Sequence, residues 1–357
     1  MIRVLVVNIH SSGGGAETVL NNLKDAVGLS GRALQVDSLS KGEFDLASVA
    51  TSKLVGYAKF VREIRSRSAG YDFIVSGVEG VPFLLCAAAL LGLKKPRLIM
   101  WLHCSAPVYL KFQGVKSRLA IGMSLRLAQR VICAAPGEAR RLAVTSKQVL
   151  FLPNIRRVST QAVAVITRML PRLVFIGSFA PLKQPHKVLE VLHALIAKGD
   201  RNYHADLFGA GGLLGEIVQQ IEMRGIVSRV TLHGFVADPW ASVLPGSILL
   251  LPSLTEAMPM VVLEAIEKGC VVIANRFDGY DFFDRHCGMF LSADFNDISQ
   301  VLPLIHQAEA WSPEELAVRG ANSDKFLKRE FDNSRSINML HGYFTSQIAP
   351  KLSGRPV

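Results

Sequence analysis

LPSLTEAMPMVVLEAIEKGCVVIAN, residues 251–275, opens on the end of one apolar run and closes on another. Between the runs lie a short loop carrying Glu256 and a stretch of helical character carrying Glu264. A buried strand, a loop, a helix and a second buried strand make a βαβ unit with parallel strands. In such folds the loops at the carboxyl ends of the strands hold ligands. An acid in that loop is placed to meet a substrate hydroxyl, and the amino end of the helix offers N–H groups to an anion. The residues by themselves also allow a plainer reading. Glu256 is then a first-turn acid facing the helix dipole, and Glu264 an i,i+4 partner for Lys268 worth about a few tenths of a kcal/mol.

The same alternation extends in both directions. Apolar runs predict strands at 2–8, 33–39, 71–76, 97–102, 130–133 and 149–152, with helical stretches at 16–28, 52–68, 81–92, 115–129 and 137–144 between them. The pattern is interrupted at about 154–170 and restarts. Strands are then expected at 172–177, 203–208, 229–233, 247–251 and 271–274, with helices at 186–198, 213–224 and 260–268. From about 297 onward only helical patterns remain, and Ser312 followed by Pro313, Glu314 and Glu315 reads as a helix start. The reading is α/β throughout: two Rossmann-like, doubly wound parallel-sheet domains facing a central cleft, with C-terminal helices. The expected boundaries are 1–165, 166–330 and a helical segment at 331–357 that is a candidate to cross back to the first domain.

Composition narrows the class. Half of the 357 residues are hydrophobic and 19% are charged, which suits a large buried core and excludes disorder. The five cysteines, at 86, 104, 133, 270 and 287, are widely spaced and form no C-x-x-C pair, so neither a disulfide framework nor a zinc site is expected. No targeting segment is read at the start, and the longest apolar run, 81–93, falls short of the ~20 residues a bilayer span requires. Residues 1–165 hold 22 Lys and Arg against 9 Asp and Glu, an excess of 13, whereas the remainder is slightly acidic. A basic surplus confined to one half points to an anionic partner. Lys53, Lys59, Arg62, Arg65 and Arg67 mark 52–68 as one basic helix. In 114–130, Lys116, Arg118, Arg126 and Arg130 alternate with apolar residues such as Leu119, Ile121 and Met123, as in an interfacial helix. The basic half lacks the stacking aromatics of single-strand binders, and no nucleic-acid partner is expected.

The wording of 251–275 resembles the Glu-x7-Glu segment of glycosyltransferase family 4, with Glu256, Leu263, Glu264, Ala265, Gly269, Val272, Ile273 and Ala274 in register. Ala257, Met258 and Pro259 depart from the usual Gly-Phe-Gly. Other segments follow in the family's order: the Gly-rich turn SSGGGAETVLNNL at 11–23, IGSFAPLKQPHKVLEVL at 176–192, LFGAGGLLGEI at 207–217 and VTLHGFVADPW at 230–240. Ser178 stands where the family has a phosphate-binding Arg, and Gln184 and Pro185 replace its Gly step. Lys187 and Arg276 are candidate substitutes for that Arg.

The resemblance implies a GT-B fold and a retaining transfer of a hexose-type sugar from a nucleoside-diphosphate sugar, UDP-sugar favoured, to a glycan or lipid-linked acceptor. It implies that Glu256 lies beside the transferring sugar, that Lys183 binds the diphosphate, and that Glu264 hydrogen-bonds the ribose. Gly14 and Gly15 would face donor phosphates or acceptor, Gly209 would line the donor turn with Ser178, Phe235 and Val236 would lie by the base, and His103 would touch the donor sugar. No metal or other cofactor is expected, since no D-x-D triplet is present. The implied setting is polysaccharide or lipopolysaccharide synthesis, cytoplasmic and peripheral on the inner face of the cytoplasmic membrane, with the basic domain docked on anionic lipid. A nucleotide-sugar epimerase of the same shape and a catalytically weak nucleotide-sugar-binding scaffold remain open at this point.

Overall fold

A computed structural model describes residues 1–8, 15–40, 53–103, 106–156, 164–166, 168–200 and 202–348. The chain divides into two units, one formed by 1–106, 113–158 and 331–357, the other by 107–112 and 159–330.

The first unit is built on six parallel strands: β1 (Ile2–Asn8), β2 (Leu34–Ser40), β3 (Phe73–Ser76), β4 (Arg97–Leu102), β5 (Arg130–Cys133) and β6 (Gln148–Phe151). Their order in the sheet is β2-β1-β3-β4-β5-β6. Val4–Val7, Phe73–Val75, Ile99–Leu102 and Val131–Cys133 are buried without alternation, because both faces of a parallel sheet are covered. Phe60, Ile64, Cys86 and Ala89 pack with Leu5, Val7 and Ile74 in one such layer.

The last helix, Asn333–Ile348, belongs to this unit. Phe344 lies 4.8 Å from Phe73, ring centre to ring centre. Arg130 Nε donates to Gln347 Oε1 at 2.9 Å, and Tyr343 Oη to the Gln148 carbonyl at 3.0 Å. Arg130 is therefore turned inward to the final helix and does not lie on an interfacial face. Arg65 is likewise committed, donating to the Ala89 and Leu91 carbonyls at 2.8 and 3.0 Å, where the Val81–Ala89 helix ends. A cationic donor there satisfies carbonyls that a helix end leaves open.

The second unit holds β7 (Arg172–Ile176), β8 (His204–Phe208), β9 (Val230–Gly234), β10 (Ile248–Leu251), β11 (Val271–Asn275) and β12 (Phe290–Ala293). They run parallel in the order β12-β11-β10-β7-β8-β9. The order reverses between β7 and β10, which makes their carboxyl ends the topological switch point of this sheet. β12 departs from the sequence reading, which had no strand there. It has four residues, Phe-Leu-Ser-Ala, too few to show a period, and pairing with β11 is what makes it a strand. The Pro313–Glu330 helix begins as Ser312 predicts: Ser312 Oγ accepts from the Glu315 N–H at 3.2 Å, and Glu315 Oε2 accepts from the Ser312 N–H at 2.9 Å.

Candidate functional site

Two loops meet at the switch point of the second unit. After β7 the chain passes Gly177 and the fully buried Phe179, then makes a short helical turn over Pro181–Lys183. After β10 it runs through Pro252 to Glu256 before the Met260–Glu267 helix. The Leu254 N–H donates to the Leu182 carbonyl at 2.9 Å, which ties the loops together. Lys183 Nζ then lies 2.6 Å from Glu256 Oε1, the lysine side chain 31% exposed and the glutamate 11%. One exposed edge of an ion pair is thus offered to solvent at the position where such sheets bind ligands. Ser253 Oγ, Thr255 Oγ1 and Gln184 Oε1, all in these loops, are buried without a hydrogen-bond partner among the described residues.

The loop after β7 is held from its other side by the Gly-x-Gly turn after β8. Phe179 N–H donates to the Ala210 carbonyl at 2.8 Å, Leu213 N–H to the Phe179 carbonyl at 3.0 Å, and Gly177 N–H to the Phe208 carbonyl at 3.0 Å. A Cβ at Gly209 would stand 1.9 Å from the Gly177 carbonyl oxygen, and one at Gly211 2.5 Å from that of Phe179. Gly209 is therefore required by the close approach of two backbones. Its own N–H donates to the Gly234 carbonyl at 2.8 Å, so the turns after β7, β8 and β9 form one stitched edge.

Gln184 has φ +46°, a left-handed conformation that explains why a glycine suits this step. Ser178 is exposed; of the two candidate substitutes for the missing Arg, Lys187 is paired with Glu190 at 2.9 Å, and Arg276, just past β11, is exposed. Ala257 and Met258 are buried, and Pro259 sits immediately before the helix, so these departures from the resemblance are accommodated by packing. Phe235 and Val236 follow β9 and are exposed, Phe235 at 72%.

Glu264 is not paired with Lys268 as its spacing allows. Its Oε2 accepts from Trp240 Nε1 at 2.8 Å. Burial raises the carboxyl above its ordinary range, the Trp240 bond opposes that, and Glu267 and Asp238 add to the rise. Trp240 carried no assigned role in the sequence reading; the only signal was an aromatic residue in the turn before β10, with its partner 24 residues away.

In the first unit, His103 follows β4 and its ring stacks on Trp101 with centres 5.4 Å apart. Its Nε2 is buried without a partner among the described residues, and burial pushes the imidazole down to about 4. The ring is neutral at pH 7, fit to exchange one hydrogen bond and unfit to serve as a charged acid. Gly15 opens the Gly15–Leu29 helix with open space where a Cβ would be, and Gly14 lies outside the described residues. Among the described residues, no cluster of His, Cys, Asp and Glu is arranged to hold a metal, and no helix is long and apolar enough to cross a membrane.

Residues 161–282 match the family model described as "Glycosyl transferases group 1". No curated protein matches the sequence. Among solved structures, HepE of Anabaena, crystallised with UDP and glucose, superposes with a TM-score of 0.74 at 16% identity, covering 97% of this chain and 100% of that one. The sucrose-phosphate synthase of Thermosynechococcus elongatus gives 0.73 at 17% identity over 97% and 100%. The lipopolysaccharide outer core galactosyltransferase WaaB, in its apo form, gives 0.65 at 16% over 98% and 100%. At these identities the structures speak for the fold. That two-sheet fold, together with the family match of the second unit, makes this chain a glycosyltransferase of GT-B fold.

Proposed function

We propose that the chain transfers a hexose-type sugar from a nucleoside-diphosphate sugar, with UDP the favoured nucleotide, to a hydroxyl of a glycan or lipid-linked acceptor, with retention at the anomeric carbon. The observation that carries this reading is the Lys183–Glu256 pair at the switch point between β7 and β10. In the proposal Lys183 Nζ and the N–H groups of the stitched loops take the diphosphate as charge builds on it. Glu256, its ion pair opened by the arriving phosphate, accepts from a sugar hydroxyl. The new bond forms between acceptor oxygen and anomeric carbon as the bond to the diphosphate breaks, and the leaving phosphate oxygen takes the proton. No metal has a role in this scheme. His103 contributes one neutral hydrogen bond.

The first unit is proposed to take the acceptor at an anionic membrane surface on the cytoplasmic side, in synthesis of polysaccharide or lipopolysaccharide. Val115, Leu119, Met123 and Leu127 are exposed and recur every four residues along the Val115–Leu127 helix, which makes an apolar stripe beside the exposed Lys116, Arg118 and Arg126. Ile121 is buried and takes no part.

The test is a thermal-shift panel of UDP-, GDP-, ADP- and dTDP-sugars, since a ligand at 100 times its dissociation constant adds ~2.7 kcal/mol. It is followed by NMR of the anomeric centre in the product, with and without EDTA. No shift with any donor, or a product of inverted configuration, refutes the proposal.

A further inference from the structure

Trp240 sits in the short turn Pro239–Ala241 between β9 and β10, and Glu264 on the helix that follows β10. The 2.8 Å bond between them spans the site's edge from one loop to another. It takes a single carboxylate oxygen. A carboxylate has two oxygens and about four acceptor sites, so Oε1 remains for a ligand. The groups acting on Glu264 include two further acids, Glu267 and Asp238. A partly buried carboxylate in that company tends to gain a proton, and a protonated one is the weaker acceptor for hydroxyls. Indole N–H is a donor and never an acceptor. It therefore holds the charged form without bringing a cation that would compete for the second oxygen, and a planar ring fixes the direction in which that oxygen points.

We propose that Trp240 is a positioning residue for ribose recognition, fixing Oε2 of Glu264 so that Oε1 faces the 2′ and 3′ hydroxyls of a bound nucleotide. The inference rests on the nucleotide reading of the second unit and deepens it. It separates two contributions at one site: Glu264 supplies the acceptor, and Trp240 supplies its orientation and ionisation. Phe at 240 retains the ring and loses the N–H.

The experiment compares binding of UDP and 2′,3′-dideoxy-UDP by calorimetry in the unaltered protein and in Trp240→Phe. A hydrogen bond to a charged group of about 1.5–3 kcal/mol predicts that the preference for UDP falls by about tenfold or more in the variant. Binding of the dideoxy nucleotide stays unchanged. The UDP affinity of the variant recovers as pH rises, because a carboxyl without its indole donor ionises later. A preference preserved in a folded Trp240→Phe protein, with both ligands weakened alike, overturns the proposal and leaves the nucleotide site standing. Equal binding of the two nucleotides by the unaltered protein overturns the ribose reading itself. If Trp240→Phe does not fold, the indole N–H signals of the three tryptophans in the unaltered protein decide. The one that moves in Glu264→Gln is Trp240, and it is expected to shift with UDP and not with the dideoxy form. Equal shifts with both overturn the proposal.

Discussion

Replacing Gly209 by alanine puts a carbon where the structure has no room. The added Cβ would lie 1.9 Å from the Gly177 carbonyl oxygen and 3.1 Å from the Phe179 ring, and Cβ atoms essentially never approach closer than 3.0 Å. The two backbones must part by about 1 Å, and neither is loose. The Gly177 N–H to Phe208 and Phe179 N–H to Ala210 bonds, at 3.0 and 2.8 Å, hold the same segment. Losing one or two of them leaves buried groups unsatisfied at about 1–3 kcal/mol each. Forcing alanine to the φ of +154° found at Gly209 adds about 1–3 kcal/mol. With one bond lost the total is at least about 2 kcal/mol, and with both lost it is several more. For a unit of this size that lowers the melting temperature by roughly 5 °C or more. Scanning calorimetry beside Gly212→Ala and Gly215→Ala checks it, because a Cβ at either control position meets nothing within 4 Å. The displaced segment leads directly to Lys183, so binding of a nucleoside diphosphate should weaken as well. A Gly209→Ala protein that melts with the controls refutes the reasoning.

Glu256→Gln should lower turnover by about two orders of magnitude or more, with a stability change under about 1 kcal/mol, because the Lys183 it releases is partly exposed; near-normal turnover sinks the assignment. Lys183→Ala should weaken UDP more than uridine, and an equal loss for both moves the diphosphate elsewhere. Gln184→Gly should stabilise by about 1 kcal/mol in urea denaturation, since only glycine adopts φ +46° freely; a loss instead would show that the Gln184 side chain matters more than its backbone. For His103, burial holds the folded-state imidazole at about 4 against an ordinary 6.5. The unfolded chain therefore gains the proton first, and stability falls as pH drops from about 6.5 to about 4, by at most about 3 kcal/mol. His103→Asn should flatten that part of the pH–stability curve, and an unchanged slope refutes it.

The strands at β1, β4, β10 and β11 were legible because each is a short run of apolar residues with both faces covered, and such runs announce themselves without any partner in view. The start of the Pro313–Glu330 helix was legible because a capping box is a local bond between near neighbours. Contacts distant in sequence were not. The inward turns of Arg65 and Arg130 are fixed by carbonyls and an amide 24 to 217 residues away, so their charge alone read as surface. Trp240 was invisible for the same reason. Gly209 was singled out from its motif, but the bond network it permits exists only once three strands lie side by side.

The order in which the chain visits its two units bears on its synthesis. All six strands of the second sheet lie within 159–330, a single uninterrupted stretch, whereas the first unit takes its last helix from 333–348. During translation from the amino end, the later-made sheet can therefore close before the earlier-made one has received its final packing partner. Until Phe344 reaches Phe73, that face of the first sheet exposes apolar side chains. Once residues up to about 330 have emerged from the ribosome, the chain holds all of the second unit while the first still lacks its last helix.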